Sequence, residues 1–357
     1  MEDQRPNQPI PPEYFSTTLL DAGYLPHPLI RAGIRRQLSQ RLSEIASTSL
    51  TAAYESKMHY VDLLRTRPMA IETAKANDQH YEVGTGVLTG MLGPRMKYSA
   101  CFYEKGDEGL AEAEERMLEV YVERAGVGDG MRVLDLGCGW GSASIYLASK
   151  FPTAQITAFS NSRTQKAHID AAASAQNLTN LSVVTGDIVD YEFEPNSFDR
   201  VISIELFEHM KNYSLLMSKV NRALKPGGKL FVHHFCHRDT PYDFEEGWMS
   251  KHFFTGGTMP SADLLLFFQE DGLRCKRQWW VSGLHYSRTC EDWLKKMLAE
   301  KERIWPHLVE TYGEAGVVTW WNRWQVFYLA CAELFKWEGG DTWGVTHLLF
   351  EKPGVAE

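Results

Sequence analysis

A doubly wound α/β fold, built on a parallel sheet with helices on both faces, is what this 357-residue sequence predicts. Two observations carry the prediction. Strand-like and helical segments alternate between residues 132 and 234, and a glycine-rich turn follows the first of those strands and opens a helix. The strand-like segments are 132–137 (RVLDLG), 155–160 (QITAFS), 181–186 (LSVVTG), 199–205 (DRVISIE) and 228–234 (GKLFVHH). Helical patterns at 141–150, 162–176 and 213–224 lie between them.

The flanking segments read differently. Residues 1–25 are polar and proline-rich. From Pro28, the residues Ile30, Ile34, Leu38, Leu42 and Ile45 recur at helical spacing. Arg31, Arg35, Arg36 and Arg41 share that segment, as a solvated face or as a contact with an anionic membrane surface. A second helix is expected over 49–66. An amphipathic one is expected over 107–127, through Leu110, Ala113, Met117 and Tyr121, ending near Gly126. After residue 235 the alternation breaks. A helix near 261–270, a strand at 273–281, a long helical stretch from 289 to 336 and a last strand at 344–351 are expected. Ten of the eleven tryptophans lie in this late part, which marks it as an aromatic-rich addition to the α/β core. The expected division is 1–106 as leader and helical extension, 107–235 as the core, and 236–357 as a cap built around the last core strands.

Composition excludes several classes. Acidic residues outnumber basic ones, 46 to 37, which argues against a nucleic-acid partner, because phosphate binding needs a basic face. The six cysteines show no CxxC and no ladder of spacings, which reads as reduced thiols. No run approaches the ~18 apolar residues of a membrane span, and the first residues carry no secretory pattern. A cytoplasmic location is the expectation. His233, His234 and His237 lack a standard zinc spacing, so no metal is expected.

The strongest signal is VLDLGCGWG, residues 133–141, in which Gly137, Gly139 and Gly141 follow the strand. Glycines let the backbone turn tightly and approach a ligand with no Cβ in the way. Asp135 at the strand end would repel a pyrophosphate but suits a ligand carrying an ammonium group. S-adenosylmethionine (SAM) has that group and no phosphate. Asp187, after the third strand, can accept from an adenine amino group, with Ile188 against the ring. Ser160, Asn161 and Gln165 are left to meet the ribose as neutral partners, where an acid is the commoner choice.

Together with IELFEHM (204–210), GGTMPSADLL (256–265) and KYSACFY (97–103), these motifs resemble the cyclopropane-fatty-acid-synthase-like branch of class I SAM methyltransferases. Within it, GLHYSRTCEDWLKK and GGDTWGVTHLLFEK are most similar to alkaloid N-methyltransferases of the coclaurine type. The resemblance runs from about residue 28 onward. It implies a seven-stranded Rossmann-like core using SAM and releasing S-adenosylhomocysteine. It places Tyr98, Ser99, Gly137, Gly139, Asn161, Gln165, Asp187, Ile188 and Ile204 at the SAM site, and makes Glu205 and His209 the amine-binding and proton-accepting pair. Tyr81 and Glu82 match a tyrosine–glutamate facing the same pocket.

An ammonium substrate must be attracted and then deprotonated. Glu205 suits the first task, and His209, four residues on, suits the second if the chain turns into a helix there and the imidazole stays near its ordinary pKa. Glu208 would support His209 or face solvent. Among the late aromatics, Tyr286, Phe327 and Trp343 are expected to contact a flat aromatic amine. The expected partner is that small molecule, with a homodimer the one macromolecular assembly in view. Two other readings stand beside it. One is a lipid-modifying enzyme, in which a cysteine directly after the Tyr-Ser pair, an acid and a histidine hold bicarbonate. Glu208 and His234 match the acid and histidine, but Ala100 stands in the cysteine's place and Cys101 follows. Cys331 matches another lipid-enzyme cysteine and is expected to be a core thiol. The other reading is a SAM-binding protein without catalysis.

Overall fold

The computed structural model describes residues 18–71, 84–245, 247–269 and 272–354. The alternating segments form strands β1 (Arg132–Leu136), β2 (Gln155–Ser160), β3 (Leu181–Thr185), β4 (Phe198–Ile204) and β5 (Leu224–His237). All pair in parallel, with helices Ser142–Lys150, Arg163–Ala175 and Tyr213–Ala223 making crossovers. Strands covered on both faces read as apolar runs rather than alternation. Accordingly Val133, Leu134, Leu136 and Val201 are fully buried.

A short hairpin follows, β6 (Tyr242–Asp243) against β7 (Thr258–Met259), and then β8 (Arg274–Val281) and β9 (Trp343–Glu351) complete a seven-stranded sheet of order β3-β2-β1-β4-β5-β9-β8. The last strand departs from the expected parallel sheet: β9 is antiparallel to both β5 and β8, between which it is inserted. Strand order reverses between β1 and β4, and a crevice opens there at the carboxyl ends of the strands. Register fixes what meets in it. Asp135 pairs with Ile202, so the glycine turn after β1 and the Glu205 loop after β4 emerge side by side.

Two other expectations need correction. The helix expected over 261–270 is a single 3₁₀ turn, Leu264–Phe267. The long stretch from 289 is two helices, Gly283–Ala299 and Lys301–Lys336, the second broken at Gly313, where φ is 73°.

These helices form the cap together with the N-terminal helix His27–Ile45, whose stripe Ile30, Ile34 and Leu42 packs into the same core. Three of its arginines, Arg31, Arg35 and Arg41, make ion pairs within the fold. Arg31 donates to Glu291 at 2.7 Å and Glu333 at 2.8 Å, Arg35 to Glu333 at 2.6 Å, and Arg41 to Glu245 at 2.9 and 2.8 Å. Arg31 and Arg41 are thereby drawn partly out of solvent, while Arg35 stays on the solvated face as expected. Among the described residues, no helix is long and apolar enough to cross a membrane.

Candidate active site

The three glycines of the turn have positive φ, of 81°, 52° and 82° at Gly137, Gly139 and Gly141. At Gly137 the fit is close, since an added Cβ would lie 3.1 Å from the Leu206 side chain. The amides of Gly137 and Cys138 donate to the Phe159 carbonyl, both at 3.0 Å, and tie the turn to β2. Asp135 beneath it is buried and accepts from Ser144 Oγ at 2.5 Å. Burial pushes its carboxyl up to about 6, with the Ser144 bond pulling the other way.

At the end of β4 the chain does not enter the expected helix. Glu205 is left-handed, with φ of 51°, and only one 3₁₀ turn, Phe207–His209, follows. That turn, not an i,i+4 helical face, brings Glu205 and His209 to one cavity. The φ is unusual for a residue with a Cβ, and the surroundings hold it. Its amide donates to the His233 carbonyl at 2.8 Å. Its Oε1 accepts from the Ala100 amide and from His233 Nε2, both at 3.1 Å, and its Oε2 from the Tyr286 hydroxyl at 2.7 Å. Burial raises the Glu205 pKa, opposed by the Lys97 charge, the Tyr286 and Ala100 hydrogen bonds, and His209.

Lys97 is itself buried and donates to Ser99 Oγ at 2.5 Å and to the Ala100 carbonyl at 2.6 Å. The loop carrying it is pinned by buried Glu114, which accepts from the amides of Arg95 and Lys97.

His209 stacks on Phe254 with ring centroids 4.5 Å apart. Desolvation lowers its pKa to about 4, against a smaller upward pull from Glu205. The expected near-neutral pKa is therefore corrected: the imidazole is uncharged across the neutral range.

The cavity has a volume of about 950 Å³. Of the residues named from sequence, Tyr98, Ser99, Asp135, Gly137, Gly139, Gln165, Ile204, Glu205, His209, Tyr286 and Phe327 line it. Others stand elsewhere. Trp343 is wholly buried in the core, and its indole N–H donates to the Tyr242 hydroxyl at 3.0 Å, so it backs the wall that Tyr242 forms. Glu208 and His234 are fully buried outside the lining, Glu208 accepting from the Phe235 amide at 2.7 Å rather than facing solvent. The lining does not reach Asn161, Asp187 or Ile188, which stand past the ends of β2 and β3. Cys331, expected in the core, lines the cavity beside Cys290. Tyr81 and Glu82 lie outside the described residues.

Sequence reasoning missed Lys97, Tyr121 and Tyr242, and the wall contributed by Ile30, Gly33 and Ile34. It also chose His234 where His233 is the histidine bonded to Glu205.

The residues present fit SAM. The glycine turn leaves backbone exposed to the cavity, buried Asp135 offers a carboxylate for an ammonium, and two buried lining hydroxyls, Tyr98 Oη and Ser142 Oγ, have no partner among the described residues. Buried hydroxyls of that kind are normally satisfied.

This fold and this crevice define a class I SAM-dependent methyltransferase. Comparison with known proteins narrows the class. A family model described as mycolic acid cyclopropane synthetase matches residues 69–344, and the chain belongs to that family. It is 37% identical to (S)-coclaurine N-methyltransferase of Thalictrum flavum subsp. glaucum over 341 residues, covering 93% of this chain and 94% of the relative. It is 38% identical over 342 residues to the enzyme of the same name from Papaver somniferum, covering 93% and 96%. The crystal structure of coclaurine N-methyltransferase bound to N-methylheliamine and SAH is similar with a TM-score of 0.92 at 34% identity, over 95% of this chain and 99% of that one.

Proposed function

We propose that this protein methylates the nitrogen of a flat aromatic amine of the benzylisoquinoline or phenylalkylamine type, using SAM. The observation that carries the reading is a buried carboxylate and an uncharged imidazole, Glu205 and His209, on one aromatic-walled cavity beside the glycine turn. The kinship to N-methyltransferases over nearly the whole chain supports it.

When bound, SAM supplies an electrophilic methyl group on a sulfonium. Tyr98, Ser99, Asp135, Gly137, Gly139, Gln165 and Ile204 are the cavity residues that would hold it. Glu205 attracts the ammonium form of the substrate, because a carboxylate kept from water by burial gains most from a cation. A carboxylate alone would keep the nitrogen protonated. Burial keeps His209 uncharged with a lone pair to offer, and the Glu205 charge raises the basicity of its imidazole, so that His209, stacked on Phe254, takes the proton while Glu205 offsets the charge that results. Tyr286 and Phe327 give the amine an apolar, water-poor wall.

The lipid-modifying alternative lacks its cysteine at the site. The Ala100 amide faces Glu205, and Cys101 is buried outside the lining, its thiol pushed up to about 12 by burial. Incubation with methyl-labelled SAM, a panel of aromatic amines and phospholipid vesicles with unsaturated chains tests the assignment. Label on amine nitrogen is the expected result. Label in acyl chains would replace the amine reading with the lipid one, and label in neither would leave only a binding role.

A further inference from the structure

Behind Glu205 a line of buried polar groups crosses the sheet, and the proposed mechanism uses none of it. His233 on β5 and His347 on β9 are register partners in the antiparallel pair, both with zero exposure. His347 Nε2 lies 2.9 Å from His233 Nδ1, and His233 Nε2 lies 3.1 Å from Glu205 Oε1. At the far end, Arg124 Nη1 lies 2.6 Å from His347 Nδ1. Arg124 and Tyr121 stand three apart on the helix Leu110–Ala125, so one helical face presents both to the histidines. The Tyr121 hydroxyl is 3.0 Å from His233 Nδ1.

The direction of every link follows from the guanidinium, which has donors and no acceptor. Arg124 must donate, so His347 Nδ1 must accept. A neutral His347 then carries its proton on Nε2 and donates it to His233 Nδ1. His233 in turn carries its proton on Nε2 and donates it to Glu205. Burial drives both imidazole pKa values well below the usual range, so both rings stay neutral and the contact with Glu205 is a hydrogen bond rather than an ion pair.

We propose that Arg124, His347 and His233 are positioning residues, a one-way chain of donors that fixes both imidazole tautomers and aims Glu205 at the substrate nitrogen. The inference rests on the reading of Glu205 as the amine-binding group. The chain cannot serve as a proton outlet, because its last member cannot accept. Its effect is to give Oε1 a donor that never reverses. Without Arg124, His233 is free to take the opposite tautomer, donate to Tyr121, and set a lone pair against the carboxylate. Glu205 then tolerates the contact only when protonated.

Other groups face Glu205 as well. Lys97 comes from the loop before the helix, Tyr121 from that helix, His209 and Glu208 from its own loop, and Tyr286 and Cys290 from the Gly283–Ala299 helix. A change in the pH profile is therefore assigned by variants and not by its midpoint.

Two measurements test the proposal. In protein labelled with ¹⁵N-histidine, both His233 and His347, assigned by single replacement, should show the Nε2–H neutral tautomer and no titration across the neutral range. An Nδ1–H tautomer at either ring in the wild type overturns the chain. Second, amine affinity is measured by calorimetry against pH for the wild type and for Glu205→Gln, Arg124→Met, His347→Phe and His347→Gln. The phenyl ring keeps the packing that His347 makes with Tyr121 and Phe231. The glutamine restores one donor at the ε position.

Arg124→Met and His347→Phe should weaken binding about tenfold on the acid side, the scale of one lost hydrogen bond to a charged group. Both should converge on the wild type at alkaline pH, and His347→Gln should recover part of the loss. A uniform loss at every pH, with no recovery by glutamine, reduces the chain to packing and overturns the proposal. Unchanged amine affinity in Glu205→Gln fails the amine-binding reading itself, whereas the tautomer measurement tests the chain independently of that reading.

Discussion

Replacing Tyr286 by phenylalanine is the sharpest single probe of how Glu205 is tuned. The hydroxyl makes the shortest of the three hydrogen bonds to that carboxylate, 2.7 Å against 3.1 Å for the other two, and it is the one that meets Oε2. The ring itself stacks on Phe335 at a centroid distance of 4.2 Å and an angle of 16°, a contact that phenylalanine keeps. The substitution therefore removes a donor and little else. A hydrogen bond to a charged group contributes about 1.5–3 kcal/mol, which corresponds to a change of about tenfold to hundredfold. The sign follows from the titration. Losing a donor raises the pKa of a carboxyl that burial has already raised, so Glu205 is protonated at pH values where the wild type is charged. Amine affinity should fall by that factor on the acid side and return to the wild-type value at alkaline pH. Calorimetric titration of the amine, in the presence of S-adenosylhomocysteine and across pH, reads the effect. Equal loss at all pH values, or no loss, would refute the claim that this hydroxyl sets the charge of Glu205.

Three further outcomes are expected. His209→Ala should lower turnover by a hundredfold or more, on the order of a lost general base, with SAM affinity by calorimetry unchanged. SAM affinity should itself weaken as pH falls through about 6, because Asp135 loses its charge there, and Asp135→Asn should be weak and flat over the same range. Gly137→Ala forces an alanine to φ of 81° beside Leu206, a cost of about 1–2 kcal/mol from the backbone alone. Its melting temperature and the upward shift given by S-adenosylhomocysteine should both fall.

The sheet was legible because local pattern decided it: each of the five alternating strands formed within a few residues of its expected bounds. Direction was less legible. The segment at 344–351 reads as a strand, but its insertion between β5 and β8, running the other way, depends on where two long helices return the chain. At the site, Glu205 and His209 do meet at one cavity, but by a geometry other than the expected helix, since no local signal announces a left-handed glutamate. His233 and His234 could not be told apart, because adjacent strand residues point to opposite faces and both faces here are buried. The partners of His233 lie 112 and 114 residues away at Tyr121 and His347, separations that periodicity does not see. Trp343 shows the converse error: a matching motif marked it as a contact when its job is to hold Tyr242.

The clasp between the N-terminal helix and the cap has a consequence for access. That helix walls the cavity through Ile30, Gly33 and Ile34, and what fastens it beyond its apolar stripe is a set of ion pairs, Arg31 with Glu291 and Glu333, Arg35 with Glu333, and Arg41 with the solvent-facing Glu245. A latch made of opposite charges loosens as electrolyte rises, whereas one made of oil does not. Guest entry and departure should thus quicken with added salt, and the same salt should expose the first helix to proteases before the rest of the molecule gives way.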